Sequence, residues 1–170
     1  MTVTYRDGVV ADAEAVHAMY RESFDAIFGH LYSPENFEAY ISTQGPDAFA
    51  AQLADPAYPF RLAEQDGALV GFAKLGPPSL PYDPSGRICI ELRQLYLLDA
   101  AKGTGVANTL MDWTLAEARA RGAVELWLSV FSGNPRARRF YERWGFEEIL
   151  RFDFMVGDHA DDEYLCRLVL

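Results

Sequence analysis

The chain has 170 residues, half of them hydrophobic and 14% aromatic, which is enough to bury a substantial core as a single domain over residues 1–170. Its net charge of −10 disfavours nucleic acid as a partner and favours cationic small molecules or basic peptides. The sequence carries neither a signal-peptide pattern nor an apolar run long enough for a membrane span, so we expect a cytoplasmic protein with no membrane partner.

The first third of the chain predicts one strand followed by three helices. Alternation of apolar and polar residues over 2–6 predicts a short strand. Asp12 is expected to cap a helix that runs to about Ser23, and Ser33, followed by a proline, to cap a second one. A third, short helix is expected over residues 45–55.

A β-hairpin is predicted next, over residues 59–75. Its two strand-like runs flank Asp66 and Gly67, a pair that favours a two-residue turn. Residues 76–86 carry four prolines and predict a loop. Two interpretations of this loop stay open, an ordinary surface connection and a flap beside a substrate site.

Residues 87–98 predict a strand in which the alternation breaks. The apolar positions before and after the break have opposite parity: Ile88, Ile90 and Leu92, then Leu95 and Leu97. An extra residue near Arg93 and Gln94, a β-bulge, would bring both sets to one face and bend the strand. A strand buried on both faces, in which parity carries no information, is the alternative.

The last part of the chain predicts two helices and three strands in a mixed α/β sheet. A helix over residues 105–120 precedes a buried strand at 123–131, and a helix over 134–145 precedes two closing strands. The helix between the strands at 87–98 and 123–131 makes a parallel crossover. The inner face of that helix is expected to hold Val106, Leu110, Met111, Thr114, Leu115 and Ala118.

The segment AKGTGVA joins the strand at 87–98 to the helix at 105–120. The first N–H groups of a helix lack internal partners, and the helix dipole favours an anion there. Gly103 and Gly105 would let the backbone approach a bulky anion closely, and Lys102 adds a positive charge. A tight turn without a ligand explains the same residues, so this segment alone leaves both interpretations open.

The helix that begins at Asn134 presents a second candidate surface. Asn134, Ala137 or Arg138, and Tyr141 are spaced by three and four residues, which places them on one helix face. The small side chain of Ala137 leaves room for a ligand along that face. Asn134 as a plain helix cap and Tyr141 as a core aromatic residue are the alternative.

Together the two segments resemble the GNAT (Gcn5-related N-acetyltransferase) family. KGTGVA is similar to its pyrophosphate motif, R/Q-x-x-G-x-G/A, with Lys102 in place of arginine or glutamine. NPRARRFYERWGF resembles its N-x-x-A-x-x-F-Y-x-x-x-G-F motif at every fixed position. The segments SFDAIFGHLYSPENFEAYI and FMVGD are more loosely similar to the PaiA-type subgroup, which is linked to acetylation of spermidine and spermine.

The resemblance implies a mostly antiparallel central sheet flanked by helices, in which the bulged strand at 87–98 is splayed from the strand at 123–131. It implies acetyl-CoA as the co-substrate and no metal. The residues expected to bind the cofactor are Leu95, Tyr96 and Leu97 along the pantetheine arm, Lys102, Gly103, Thr104, Gly105, Val106 and Ala107 at the pyrophosphate, and Asn134, Ala137 and Tyr141 on the last helix.

The resemblance also implies direct attack of a primary amine on the thioester within a ternary complex. An alkylammonium has a pKa of about 10 and must lose a proton first, so a general base helps at neutral pH. Glu91, an acid in an apolar strand, is the first candidate for this base, and an exposed surface glutamate is the alternative. Tyr141 is expected to protonate the departing thiolate. Cys89 lacks a nearby histidine in sequence, which disfavours it as a nucleophile.

The acceptor is expected to be a polyamine such as spermidine or spermine. Two alternatives stay open: a protein N-terminus or lysine as acceptor, and a non-catalytic acyl-CoA-binding regulatory module. The resemblance also allows a homodimer. The two cysteines lie in apolar stretches and the three histidines are scattered, which predicts buried thiols and no metal site. Acids expected near a cationic acceptor are Glu22, Asp25, Glu35, Glu38 and Asp83.

Overall fold

In the computed structural model, which describes residues 2–170, seven strands form one sheet covered by five α-helices. The strands are β1 (Val3–Asp7), β2 (Phe60–Gln65), β3 (Ala68–Gly76), β4 (Cys89–Leu97), β5 (Glu125–Phe131), β6 (Glu147–Val156) and β7 (His159–Val169). The helices are α1 (Ala13–Phe28), α2 (Pro34–Ser42), α3 (Pro46–Leu53), α4 (Val106–Ala120) and α5 (Pro135–Arg143). Within residues 2–170, no helix has both the length and the apolar character needed to cross a membrane.

The sheet is mixed and mostly antiparallel, as predicted. Its strands lie in the order β1-β2-β3-β4-β5-β7-β6. The β4–β5 pair is parallel, and the other neighbouring pairs are antiparallel. The parallel pair is joined by α4, which is the crossover expected from the sequence.

Helices cover both faces of the sheet, and each face has its own hydrophobic cluster. Helices α1, α2 and α3 pack on one face through aromatic residues that include Tyr20, Phe49 and Phe72. Helices α4 and α5 pack on the opposite face. The six residues predicted for the inner face of α4 are all buried: Val106, Leu110, Met111, Thr114, Leu115 and Ala118.

Local sequence signals place most of the element boundaries. Ser33 caps α2, where its Oγ accepts the N–H of Asn36 at 3.2 Å. Asp66 and Gly67 both adopt positive φ angles, 54° and 80°, as the expected two-residue hairpin turn requires.

Asp12 occupies the N-cap position of α1, as predicted, but its side chain makes no capping hydrogen bond. Its carboxylate accepts hydrogen bonds from the Arg6 guanidinium at 2.7 and 2.8 Å and from the Val9 N–H at 2.8 Å instead. Helix α1 begins at Ala13, after a short 3-10 turn, and runs to Phe28, beyond the expected end near Ser23. The paired charge of Arg6 gives this carboxylate a stronger partner than a helix N–H.

The bulge predicted in β4 is present, and Arg93 is the extra residue. Lys74 of β3 pairs with Gln94, whereas the next residue, Leu75, pairs with Leu92. The shift brings the apolar residues on both sides of the break into the hydrophobic cluster beneath α4: Ile90, Leu92, Leu95 and Leu97. The broken alternation therefore had a structural cause.

Strands β4 and β5 separate after a short stretch of pairing. Residues Cys89, Ile90 and Glu91 pair with residues 125–127 of β5, and no further pair joins these strands within the described part of the chain. The gap opens into a cavity of about 290 Å³, which we call the central cavity. The predicted splay of the two strands is thus confirmed.

Candidate active site

The central cavity passes through the sheet, because it is lined by residues from both covering layers. Phe28 and Tyr40 lie at the end covered by α1 and α2, which we call the α1–α2 end. Asn134, Ala137 and Tyr141 lie at the opposite end, which we call the α5 end. A molecule that enters from the α1–α2 end could therefore meet a second molecule, which enters from the α5 end, within the gap between β4 and β5.

The edge of β4 that faces this gap offers unpaired backbone groups. The N–H of Leu98 donates to Val70 O of β3 at 2.9 Å. Because the direction of backbone groups alternates along a strand, Tyr96 also bonds to β3, whereas Leu95 and Leu97 direct their N–H and C=O groups into the gap. Of the three residues predicted for the pantetheine arm, Leu95 and Leu97 can pair with a strand-like ligand, and Leu97 O already accepts a long hydrogen bond from Ser23 Oγ at 3.4 Å.

Tyr96 has a structural position instead. Its ring packs on Tyr20 at 5.1 Å and on Phe72 at 6.1 Å between ring centroids. Its side chain lines the floor of the central cavity.

The AKGTGVA loop leaves some of its N–H groups free and uses others. Gly103 and Gly105 have φ angles of 79° and 93°, and Gly105 immediately precedes α4. The N–H of Lys102 donates to Asp99 O, just before the loop, at 3.1 Å, and the N–H of Thr104 donates to Ala101 O at 3.4 Å. Within residues 2–170, the N–H groups of Gly103, Gly105, Val106 and Ala107 meet no backbone acceptor. The free groups surround the start of α4, where an anion is favoured.

The positive charge that Lys102 was expected to add to this loop is paired with an acid. Lys102 Nζ donates to Asp99 Oδ1 at 2.5 Å, so an acid already balances its charge. The hydrogen bond from Lys102, together with the nearby Arg136, holds the pKa of Asp99 below its usual range. Arg136, an exposed residue in the first turn of α5, therefore brings a further cation to the loop. Its place in the first turn of a helix that starts at the gap could have suggested this role.

The expected face of α5 is formed, and its first residue is a helix cap. Asn134 Oδ1 accepts the N–H of Ala137 at 3.2 Å, which leaves the amide NH₂ of Asn134 for other partners. Tyr141 reaches the central cavity from α5. Burial, followed by the nearby Cys166 and Glu163, raises the pKa of Tyr141, so its hydroxyl is protonated at neutral pH and can donate a hydrogen bond to a developing thiolate.

Glu91 lines the central cavity but already has several partners. Its carboxylate accepts the N–H of Ser79 at 2.6 Å and Ser79 Oγ at 3.1 Å, and Arg93 Nε lies 3.6 Å away. Burial raises the pKa of Glu91, whereas Ser79 and Arg93 lower it. These bonds tie the proline-rich loop to β4, and Ser79 and Leu80 of that loop line the cavity.

Two further acids in the cavity, Asp161 and Glu163 of β7, were missed by sequence reasoning. Both are buried, with 3% and 9% of their surface exposed. Burial raises the pKa of Glu163 to about 7, and Asp161 adds to this effect. Tyr32 donates a hydrogen bond to Asp161 Oδ2. Residues two apart in a strand share a face, but Asp162 between them is also acidic, so the sequence did not show which of the three acids face inward.

A sequence model of the acetyltransferase (GNAT) family matches residues 13–146. The chain belongs to the GNAT family. An uncharacterised N-acetyltransferase of Mycobacterium tuberculosis is 33% identical over 157 residues, which cover 92% of this chain and 96% of that protein. An aminoalkylphosphonate N-acetyltransferase of Salmonella typhimurium is 33% identical over 103 residues, covering 60% of this chain and 65% of that protein.

The fold agrees with the assignment to the GNAT family. The crystal structure of a PaiA N-acetyltransferase from Thermoplasma acidophilum in complex with coenzyme A superposes with a TM-score of 0.80. The two chains are 22% identical, and the match covers 100% of each. With its GNAT relatives, this identifies the protein as an acetyl-CoA-dependent N-acetyltransferase.

The acids expected to surround the acceptor do not line the cavity of this GNAT protein. Glu22, Asp25 and Glu38 instead line a separate groove on the outer side of α1 and α2, where Glu38 pairs with Arg21. Helix α1 turns its aromatic face inward, which leaves its acids outside. Glu35 lies exposed in the first turn of α2, and Asp83 accepts hydrogen bonds from Ser85 within the proline-rich loop.

The same cavity contains a buried amine. Lys74 is 2% exposed, and its Nζ donates to Gln52 Oε1 at 2.7 Å and lies 5.3 Å from the ring centroid of Phe49. Burial, together with the charge of Arg93, lowers the pKa of Lys74 to about 7. The α1–α2 end of the cavity thus holds a basic group as well as acids.

Neither cysteine lines the central cavity. Cys89 and Cys166 are free and buried, and Cys89 Sγ lies 3.7 Å from Glu125 Oε2. Burial raises the pKa of both thiols, which disfavours the reactive thiolate. Among the described residues, 2–170, no group of three histidine, cysteine or acidic side chains is arranged to hold a metal ion.

Proposed function

We propose that this enzyme transfers the acetyl group of acetyl-CoA to a primary amine of a polyamine such as spermidine or spermine. The observation that carries the proposal is a set of buried oxygen acceptors at the α1–α2 end. Gln94 Oε1 and Asp161 Oδ1 are buried and accept no hydrogen bond of good geometry within residues 2–170; the nearest cation-forming group to Asp161 Oδ1 is His159 Nε2, at 3.2 Å. Together with Glu163, these oxygens suit a ligand rich in N–H groups and positive charge.

The two ends of the cavity suggest how the substrates are divided. The free N–H groups at the start of α4 suit the pyrophosphate of acetyl-CoA, and those of Leu95 and Leu97 suit its pantetheine arm. The acceptor amine enters from the α1–α2 end, so that it meets the thioester in the gap. Tyr141, at the α5 end, donates a proton to the departing thiolate.

An amine that also carries an anionic group is the second candidate acceptor. Lys74 and Arg93 line the same end of the cavity as the acids, and either can pair with a phosphonate or carboxylate. The Salmonella relative is named for an aminoalkylphosphonate acceptor of this kind. In this alternative, the acids hold the ammonium group and the cations hold the anionic group.

The test is a measurement of thiol release from acetyl-CoA with a fixed set of acceptors. The set contains spermidine, spermine, putrescine, 2-aminoethylphosphonate, and a peptide with a free N-terminus and no lysine. We expect the highest kcat/KM with spermidine or spermine. A preference for 2-aminoethylphosphonate would replace the polyamine by the zwitterionic acceptor, and a preference for the peptide would make the enzyme a protein N-terminal acetyltransferase.

A further inference from the structure

We propose that Glu163, rather than Glu91, is the catalytic base that removes the proton from the acceptor ammonium. This inference rests on the proposed transfer of acetyl to an amine, but not on which amine is used. Glu163 belongs to β7, where it pairs with Phe131 of β5 and Phe152 of β6. Phe131 lies in the part of β5 that has already separated from β4, and Glu163, one strand further along the sheet, lines the central cavity at this level.

The surroundings of Glu163 place it at the centre of the cavity. Its charge contributes to the raised pKa values of four tyrosines that reach the cavity from four different parts of the fold: Tyr32, Tyr40, Tyr96 and Tyr141. Tyr141 is the residue proposed to protonate the thiolate. A base that acts on the attacking amine must lie close to such an acid, because both act on groups bonded to the same carbonyl carbon.

Glu91 has less capacity to act as the base. Its two carboxylate oxygens receive the N–H and the hydroxyl of Ser79, and Arg93 lies next to them. Protonation of this carboxylate would weaken the contacts that hold the proline-rich loop on β4. Glu91 is therefore placed to position that loop, whereas Ser129 is the hydrogen-bond partner recorded for Glu163.

The protonation equilibrium of Glu163 also suits a base at neutral pH. Burial raises its pKa to about 7, close to the value at which a base is both available and strong enough. Asp161 and Asp162 on its own strand raise this pKa, and Ser129 on β5 lowers it. The other titratable groups that interact with Glu163 are Tyr141 of α5, Tyr96 of β4, Tyr40 of α2, Tyr32, and Cys166 of β7.

The proton transfers in this scheme balance. Glu163 takes one proton from the ammonium, and the neutral amine then forms a C–N bond to the thioester carbonyl carbon. The C–S bond breaks, and the thiolate takes the proton of Tyr141. The new amide nitrogen loses its second proton to the Tyr141 oxygen, and Glu163 releases its proton to water. The products are the amide, free CoA thiol and one proton in solution.

The first test compares pH profiles of kcat/KM for the full-length enzyme and three variants, with the best acceptor of the set above. We expect Glu163→Gln to lower kcat/KM at pH 7 by ~10²- to 10⁴-fold and to abolish the rise near pH 7. Glu91→Gln is expected to keep that rise. Asp162→Asn is the matched control, since Asp162 pairs with Arg151 outside the cavity; it should keep the rise and move it slightly to lower pH, because Asp162 contributes to the raised pKa of Glu163. Loss of the rise in Glu91→Gln, with its retention in Glu163→Gln, overturns the proposal.

A weakly basic acceptor separates proton removal from amine binding. A fluorinated alkylamine that is already neutral at pH 7 does not need a base before it attacks. With this acceptor, we expect the fold loss of kcat/KM in Glu163→Gln to be at least ~10-fold smaller than with the ordinary amine. The reason is that no proton has to be removed before the amine attacks. An equal deficit with both amines would mean that Glu163 only binds the acceptor, which would overturn its assignment as the base.

A third measurement does not depend on turnover. The carbonyl band of a protonated carboxyl group, followed by difference infrared spectroscopy between pH 5 and pH 9, should titrate near pH 7 and be absent from Glu163→Gln. Thermal unfolding checks that each variant folds. A missing band overturns the proposal for Glu163 even when amine acetylation is observed. A normal band without turnover of any amine means that the proposed function has failed.

Discussion

At the scale of single residues, the charge of Glu163 lowers the stability of the folded protein, because the carboxylate is buried in the cavity. The folded protein holds its proton more tightly than the unfolded chain does, because burial raises the carboxyl pKa from 4.5 to about 7. Between these two pH values the folded state binds more protons, so the free energy of unfolding falls as pH rises. The cost is fully present above pH 7 and corresponds to roughly 3 kcal/mol.

We therefore expect Glu163→Gln to be more stable than the parent protein at pH 8, by ~1–3 kcal/mol, and to lose this advantage near pH 4.5. Urea unfolding at the two pH values measures the difference. Asp162→Asn is a control of opposite sign, because the hydrogen bond from Arg151 lowers the pKa of Asp162. A stability gain for Glu163→Gln that is the same at both pH values would contradict this explanation.

The single residues of the site also differ in whether the sequence could predict their positions. The fixed positions of the two motifs could be read from the chain, because helix starts and glycine turns are set by local spacing. Glu163 and Asp161 could not be placed in the same way. They enter the cavity only because β7 lies beside the part of β5 that leaves β4, and this contact depends on the pairing of the whole sheet.

Among the elements, strand β4 was the most predictable part of the site. Its broken parity indicated a bulge, and Arg93 is the extra residue. The same reasoning could not tell that Leu95 and Leu97 would direct their backbone groups into the gap while Tyr96 bonds to β3. That choice depends on which neighbour each edge of β4 acquires, and the sequence of a single strand does not carry it.

The start of α4 allows a test whose control residue lies at the other end of the same helix. Gly105 before α4 and Gly122 after it have φ angles of 93° and 78°, and a Cβ added at either would meet no atom of the protein within 4 Å. Alanine at each position should therefore cost a similar ~1 kcal/mol of stability, since only the backbone conformation is strained. We expect only Gly105→Ala to weaken acetyl-CoA binding, by ~10-fold or more, because a new side chain keeps the cofactor from the free N–H groups.

Calorimetric titration with acetyl-CoA, together with thermal unfolding of both variants, decides this prediction. Equal affinities for the two variants would mean that the AKGTGVA segment is a turn that contacts no phosphate. An affinity loss in both would point to a general effect on α4 rather than to the N–H groups at its start.

For the whole molecule, the net charge of −10 acts differently on acetyl-CoA and on the proposed polyamine acceptor. Acetyl-CoA carries several negative charges on its phosphates, whereas spermidine is a polycation. Long-range repulsion opposes capture of the first, and long-range attraction favours capture of the second. Salt screens both effects, because the Debye length falls from about 10 Å at 0.1 M to about 3 Å at 1 M.

We accordingly expect kcat/KM for spermidine to fall several-fold between ~0.05 and ~0.5 M salt, and kcat/KM for acetyl-CoA to stay level or rise. A monoamine acceptor is the control and should show a shallower fall than spermidine. The measurement varies one substrate at a time while the other is saturating. A parallel fall for both substrates would mean that local cations near the AKGTGVA loop, such as Arg136, govern cofactor capture more than the charge of the molecule does.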